Sequence, residues 1–309
     1  MKTKLIILVL ILSISVSYAQ QDAQFTQYMY NTININPAYA GSRDVMSIFA
    51  LHRTQWVGLD GAPTTNSVSI NAPVAGSNVG LGFSIMNDKI GPSDENNIAI
   101  DFSYTLLTSD TYKLAFGLKA SANLLNIDFS KLNQYDKNDY VFDTNVDNKL
   151  SPNIGVGFYL YSENGYFGIS APNLLETTHF DKYASTDANS HVAQERIHYY
   201  FIAGHVFDLS DSVLFKPTIL AKMVQGAPLQ VDISGNFLIN EKFTAGIAYR
   251  WSAAMSALVG FQVSDSMFIG YGYDLETTKL ANYNSGTHEI FLRYELFNKY
   301  ERMISPRFF

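Results

Sequence analysis

The sequence contains no cysteine, which excludes disulfides, thiolate metal centres and cysteine nucleophiles. Charge is scarce: 16% of the 309 residues are Asp, Glu, Lys or Arg, against about 25% in soluble domains. Lys and Arg are outnumbered by Asp and Glu, 21 to 28, which argues against a nucleic-acid partner. Beyond the first 19 residues no apolar run approaches the ~20 residues of a membrane-spanning helix. There is no Gly-rich phosphate loop, no redox motif and no spacing that marks a nucleophile beside a base, so nothing points to an enzyme.

What is present is alternation. Residues 97–106 read Asn-Ile-Ala-Ile-Asp-Phe-Ser-Tyr-Thr-Leu. Ile98, Ile100, Phe102, Tyr104 and Leu106 fall on one face of a strand, and Ala99, Asp101, Ser103 and Thr105 on the other. The pattern recurs, and the clearest apolar faces carry no charge, which suits lipid. The opposite faces hold Gly, Ser, Thr, Asn and Gln. Gly80 and Gly82, and Gly155 and Gly157, alternate on one face and read as lumen packing. Strands are expected at 44–54, 64–73, 78–87, 95–107, 112–125, 152–161, 165–171, 197–208, 213–222, 228–239, 242–250, 254–263, 266–275 and 287–297, the first and eighth alternating poorly. The fold class is an all-β, antiparallel transmembrane barrel of about 14 strands with an N-terminal extension and a short C-terminal tail.

The connections carry separate information. Tight turns are expected at 108–110, 162–165, 209–211, 239–241 and 263–265, with the Asn, Asp, Gly and Ser residues that turns use. Connections 55–63, 88–94, 126–151, 172–196 and 276–286 are longer. Short periplasmic turns and long outer loops are the pattern of outer-membrane barrels, and an even strand number implies two periplasmic termini. A soluble β-sandwich would alternate too, but predicts neither the uncharged faces nor this asymmetry.

Residues 1–19 have the form of a secretory signal: Lys2 and Lys4, the apolar run from Leu5 to Val16, and a small-residue site giving cleavage between Ala19 and Gln20. Cleavage there removes two lysines and no acids, leaving 19 basic against 28 acidic residues, a net charge of −9. On the inner faces the ionisable residues Asp101, Lys113, Lys119, Lys216, Asp232, Arg250, Asp274, Glu289, Arg293 and Glu295 include both signs. They read as mutual pairs rather than as a selectivity ring. Tyr112, Phe207, Tyr249 and Trp251 near strand ends fit an interfacial aromatic girdle.

No cofactor is implied. Within the acidic stretch 136–148, which holds Asp136, Asp139, Asp143 and Asp147, Asp143 to Asn148 begins like a calcium loop. It lacks the turn glycine (Asn148) and the final glutamate (Ile154), so a solvated loop is the simpler reading. His179 and His191, with Asp181, Asp187 and Glu195, match no zinc spacing.

The segment before the first strand runs Asp22-Ala23-Gln24-Phe25-Thr26-Gln27-Tyr28-Met29-Tyr30-Asn31, then Asn36-Pro37-Ala38-Tyr39-Ala40-Gly41-Ser42-Arg43. It is aromatic, without a helical or strand period, and Pro37 and Gly41 mark a turn into the barrel. Arg53-Thr54-Gln55-Trp56 and Gly61-Ala62-Pro63 follow. In order and content these motifs resemble the PorP/SprF family of outer-membrane proteins of the type IX secretion and gliding machinery. Thr26, Tyr30 and Ala23 stand where Ser, Phe and Pro are usual. The end, Ser305-Pro306-Arg307-Phe308-Phe309, is similar to the SprF branch. The resemblance implies a barrel that helps secrete or anchor large surface adhesins and meets periplasmic components of the machinery. A porin-like channel for small solutes is the alternative.

The expected division is a signal peptide at 1–19, a periplasmic or lumenal segment at 20–43, the barrel at 44–297 and a periplasmic tail at 298–309. The interaction candidates are Phe25, Gln27, Tyr28, Asn31, Asn36, Pro37, Ala38, Tyr39, Gly41, Arg53, Trp56, Gly61, Pro63, Pro306, Arg307, Phe308 and Phe309. Expected partners are outer-membrane lipid, a secreted adhesin and periplasmic secretion components.

Overall fold

The computed structural model describes residues 24–132, 145–176 and 196–296. The strands are β1 (Met46–Thr54), β2 (Thr64–Pro73), β3 (Val79–Ile90), β4 (Ser93–Leu107), β5 (Lys113–Ile127), β6 (Val146–Tyr161), β7 (Gly165–Ala171), β8 (His198–His205), β9 (Phe207–Ser210), β10 (Val213–Val224), β11 (Gln230–Ile239), β12 (Phe243–Arg250), β13 (Ala254–Ser264), β14 (Met267–Glu276) and β15 (Thr287–Leu296). Each pairs antiparallel with its neighbours, β10 with β11 and β15 with β1, so the sheet closes on itself. Segments β8 and β9 lie along the same side of β10 and make one barrel strand interrupted at buried Val206. The barrel therefore has fourteen strands and no free edge, which satisfies the backbone inside a membrane. No helix among the described residues is long and apolar enough to cross a membrane.

The two faces sort as the alternation predicts. On β4 the side chains of Ile98, Ile100, Phe102, Tyr104 and Leu106 are exposed on the outer wall, while Ala99, Asp101 and Ser103 are buried inside. Tyr112, Phe207, Tyr249 and Trp251 are exposed near strand ends. The first strand alternates poorly in sequence for a physical reason: its inward residues Phe49 and Leu51 are themselves apolar and buried. The eighth does so because the chain breaks at Val206, whose N–H donates to the Asn164 carbonyl instead of to a strand partner (2.7 Å).

Several expected boundaries are corrected. Residues 88–94 are not a loop: β3 runs to Ile90, β4 starts at Ser93, and Gly91 (φ +55°) and Pro92 make the turn. Asn87, Asp88, Asp94, Glu95 and Asn96 are polar on both faces, which hides a strand from periodicity. Likewise β5 extends to Ile127 and β6 begins at Val146, shortening the expected 126–151 connection. Val146, Asp147 and Asn148 thus belong to a strand rather than to a calcium-type loop. Asn145 is engaged, its side-chain carbonyl accepting from the Phe129 N–H (3.0 Å). The Ser130 hydroxyl, then Lys131, hold the carboxyl of nearby Asp128 below its ordinary pKa. Asp136, Asp139, Asp143, His179 and His191 lie outside the described residues. The turn expected at 209–211 is Asp211-Ser212, and that at 263–265 is Asp265-Ser266.

One end of the barrel, here the turn end, carries the connections 74–78, 108–112, 162–164, 211–212, 240–242 and 265–266, none longer than five residues. The opposite loop end carries 55–63, 128–145, 172–197 and 277–286, along with the shorter 91–92, 225–229 and 251–253. Met46 and Leu296 both lie at the turn end, as an even strand number requires. Gln24 does not. It sits at the loop end, donating to Gln230 Oε1 at the start of β11 (2.9 Å). The first strand thus begins and the last ends on one side, while residues 24–45 run the length of the lumen before β1 begins; the chain termini themselves lie outside the described residues.

Candidate functional site

The site is the lumen. Residues 26–33 and 35–43 are buried, Ile35 included, without belonging to any strand. Two short 3-10 turns, Thr32–Asn34 and Pro37–Tyr39, punctuate the segment. Asn36 caps the second, its Oδ1 accepting from the Ala38 N–H (3.0 Å), with Pro37 at the first position, where its missing N–H costs nothing. A buried segment with so little regular structure must find partners for its backbone in the surrounding wall.

On the side of β3 to β7 the wall is shaved down to meet that backbone. A Cβ on Gly80 would collide with the Ala40 carbonyl, one on Gly117 with Ala38 N, and one on Gly157 with Asn36 Oδ1. Ser103 Oγ donates to the Ala40 carbonyl (2.6 Å) and Ser170 Oγ to the Ile35 carbonyl (2.6 Å). Lys119 Nζ donates to the carbonyls of Ile33 and Asn34 (3.3 Å each) and pairs with Asp101 (3.5 Å). Asn36 Nδ2 donates to the Phe158 carbonyl (3.0 Å). Gly41, at φ +72°, packs against Gly80 and donates to Asn71 Oδ1 (3.3 Å).

On the other side the segment reaches the wall with side chains. The Tyr28 hydroxyl bonds the Thr218 hydroxyl (2.8 Å). Tyr30 packs on Phe268 and Phe291 (ring centroids 5.5 and 4.9 Å), and Phe291 stacks on Phe49 (5.0 Å). Lys216 Nζ lies 4.8 Å from the Tyr30 ring centre and the Arg293 guanidinium 5.2 Å from that of Phe268, distances at which rings attract cations. The lumen is thus partly aromatic, and the strands themselves contribute Phe49, Phe268 and Phe291 to it, where the alternation predicts inner faces of small, polar and charged residues.

Near the loop end Arg53, 2% exposed, organises the charges. Its Nη1 donates to Glu289 Oε2 (2.9 Å) and Thr26 Oγ1 (2.8 Å), and its Nη2 to Asp274 Oδ2 (2.9 Å). Thr26 Oγ1 donates to Asp274, and the N–H groups of Thr26 and Gln27 donate to Glu289 (3.0 and 2.9 Å). Arg250 Nε donates to Asp232 beside this cluster (3.0 Å). Near the turn end Glu295 accepts from Arg43 and lies 3.8 Å from Arg293, and half-exposed Lys113 faces Asp44 (3.4 Å). Most of the lumenal charges expected to pair therefore do so, and two of the pairs, Arg43 with Glu295 and Asp44 with Lys113, run between segment and wall.

Above the Arg53 cluster the loop end holds a cavity of about 470 Å³. Arg53, Arg250 and Asp274 lie at its floor, Gln24 beside them, and Trp56, Pro63, Glu276, Leu229 and Trp251 in its walls.

Most of the candidate residues converge here. Gln27, Tyr28, Asn31, Asn36, Pro37, Ala38, Tyr39 and Gly41 are buried in the lumen, and Phe25 packs against its core. Asn31 Oδ1 accepts from Ser69 Oγ (3.0 Å), and Tyr39 meets Tyr159 edge-on (5.6 Å). Trp56 Nε1 donates to Glu276 Oε1 (2.8 Å). The Gly61 carbonyl accepts from the Gly91 N–H (2.9 Å) and the Pro63 carbonyl from the Gln55 N–H (2.9 Å), so these two join the loop after β1 to the β3–β4 turn and to itself. Pro306, Arg307, Phe308 and Phe309, and the cleavage pair Ala19 and Gln20, lie outside the described residues. Sequence reasoning missed Thr26, Ser103, Ser170 and Glu276 as partners. Two of the four are small hydroxyl residues on a lumenal face, a signal available but unused. Among the described residues no group of three or more His, Cys, Asp or Glu side chains is placed to hold a metal.

Comparison with known proteins agrees with this architecture. The family model described as "Type IX secretion system membrane protein PorP/SprF" matches residues 17–294. Among solved structures the fold is similar to the CymD monoaromatic hydrocarbon channel (TM-score 0.50, 12% identity, 91% of this chain and 95% of that one). It is also similar to a deletion mutant of the TodX monoaromatic hydrocarbon channel (TM-score 0.50, 10% identity, 85% and 93%). At such identities the likeness shows the barrel fold alone. No curated protein matches in sequence.

Proposed function

This chain belongs to the PorP/SprF family of type IX secretion system membrane proteins, and on that footing we propose that it is a non-enzymatic outer-membrane barrel that helps secrete or anchor a large adhesin at the cell surface. The observation that carries the reading is the occupied lumen. A solute channel needs a wetted path lined by groups that hold and release the solute. Here the space is filled by the chain itself, fixed by hydrogen bonds to β4, β6, β7, β10, β14 and β15. What remains for partners is the two rims and the tail.

In this reading the turn end faces the periplasm and the loop end the exterior, in keeping with the inequality of their connections. The adhesin engages the loop end. Residues 298–309, basic through Lys299, Arg302 and Arg307 on an acidic protein, meet periplasmic components of the machinery. The Ser305 to Phe309 ending favours the SprF branch. The test has two arms. Removing residues 300–309 leaves β15 intact, and adhesin display on whole cells should fall while the heat-modifiable folded form persists. Normal display by the truncated protein would count against docking through the tail. In planar bilayers the intact protein should conduct poorly, and deletion of residues 22–36 should open it. Large, steady conductance from the intact protein would favour a porin instead.

A further inference from the structure

The cavity at the loop end has features that sealing the barrel does not require. The chain contains two tryptophans, and both line it. Each is held at a backbone corner that side chains seldom adopt: Trp56 itself lies at φ +48°, and Ser252, next to Trp251, at φ +57°. Such conformations are strained and persist where the surroundings fix them. Trp56 is fixed at both ends, its backbone N–H donating to Thr287 Oγ1 (3.1 Å) and its indole N–H to Glu276 (2.8 Å). The floor offers Arg250, which is bonded to Asp232 only through Nε. Neither of its terminal nitrogens donates to another described residue, and Arg250 lines the cavity.

The lining carries charges of both signs, Asp88, Asp274 and Glu276 against Arg53 and Arg250. Arg53 is bonded to Asp274 and Arg250 to Asp232, so little net field selects an ion of either sign. A neutral ligand rich in hydroxyl groups suits such a lining, because each hydroxyl both donates and accepts. It takes donors from Arg250 and offers its own to Glu276 and Asp88, and hydrogen bonds to charged groups are the strong ones. The C–H face of a pyranose ring packs on an indole, and a cavity of about 470 Å³ is within the ~300–1,000 Å³ range of small-ligand sites. We propose that the loop-end cavity is a binding site for a neutral saccharide unit, held between Trp56 and Trp251 above Arg250.

With both tryptophans in the site, intrinsic fluorescence reports on it directly. The mature protein, purified in a detergent without a sugar headgroup, is titrated with N-acetylglucosamine, methyl α-mannoside, rhamnose and maltose. Acetate and methylguanidinium serve as charged probes. The expected result is a saturable emission shift with at least one sugar, half-complete at about millimolar concentration, and no saturable response to either ion. Trp251→Leu should weaken binding about tenfold or more, read from Trp56, while the exposed position of Trp251 leaves heat-modifiable mobility unchanged. Gln55→Ala, at the cavity edge, provides a second folded variant and should weaken binding less. The proposal is overturned by a flat response to all four sugars, by saturation with methylguanidinium or acetate instead, or by unchanged sugar affinity in Trp251→Leu.

Discussion

Where it faces β3 to β7 the lumenal segment presents its backbone to a wall of glycine and serine. Where it faces β10 to β15 and β1 it presents tyrosine, threonine and glutamine side chains to a wall of aromatics and ion pairs. The first contact works by subtraction, removing side chains so that main chain meets main chain. The second works by addition, with rings and charges that reach inward. A chain lacking a regular period can be held only if its shape and its polar groups are both matched, and the two walls divide those tasks.

The largest expected effect tests the shaved wall. Gly117→Val places side-chain atoms where Ala38 N and the Pro37 carbonyl carbon already lie. Backbone cannot give way as a flexible side chain can, so the cost should be about 4 kcal/mol or more, and the heat-modifiable band should vanish. A folded Gly117→Val barrel would show that the segment can leave its seat. Next in size is the charged wall. Arg53→Ala strands Asp274 and Glu289 in the lumen and should cost about 3–4 kcal/mol, lowering the denaturant midpoint. Arg53→Lys keeps the charge but loses the fork that bonds Glu289, Thr26 and Asp274 together, and should fall between the two. Equal stability of the Ala and native proteins would mean the cluster is solvated. The smallest effects compare the walls bond for bond. Ser103→Ala deletes the buried hydrogen bond to the Ala40 carbonyl, and Tyr28→Phe deletes that to the Thr218 hydroxyl together with a long one to the Asp232 carbonyl; each change should cost about 1 kcal/mol. The double mutant should sum, since the two sites share no partner. A marked departure from additivity would show that the walls hold the segment as one unit.

The strands were legible because lipid on one side and a lumen on the other force a period of two. Ile98 to Leu106 shows this in its plainest form. Gly80 and Gly157 could also be read as packing positions, although what packs there could not. Legibility failed wherever the two faces meet like environments. β1 is apolar on both because Phe49 and Leu51 pack inward on aromatics. The β3–β4 hairpin is polar on both where Asn87 to Ile90 pairs with Ser93 to Asn96. For residues 24–43 a lumenal place was one of two readings and the turn near Pro37 was visible, but their course along the wall was not. Their buried carbonyls are satisfied by Ser103, Ser170 and Lys119, which lie 63 to 135 residues away, and no local pattern records such partners.

Arg53 on β1 and Glu289 on β15 are direct cross-strand partners where the first and last strands join. Glu289 also accepts from Thr26 and Gln27, and Glu295, on the same last strand, accepts from Arg43. The acids of the closing strand therefore find these partners within residues 26–53. Without that stretch in place, closure would carry two carboxylates into the interior with those partners missing. The N-terminal segment is then part of the seam: together with β1 it supplies the arginines and N–H groups that let the acids of the last strand enter the lumen.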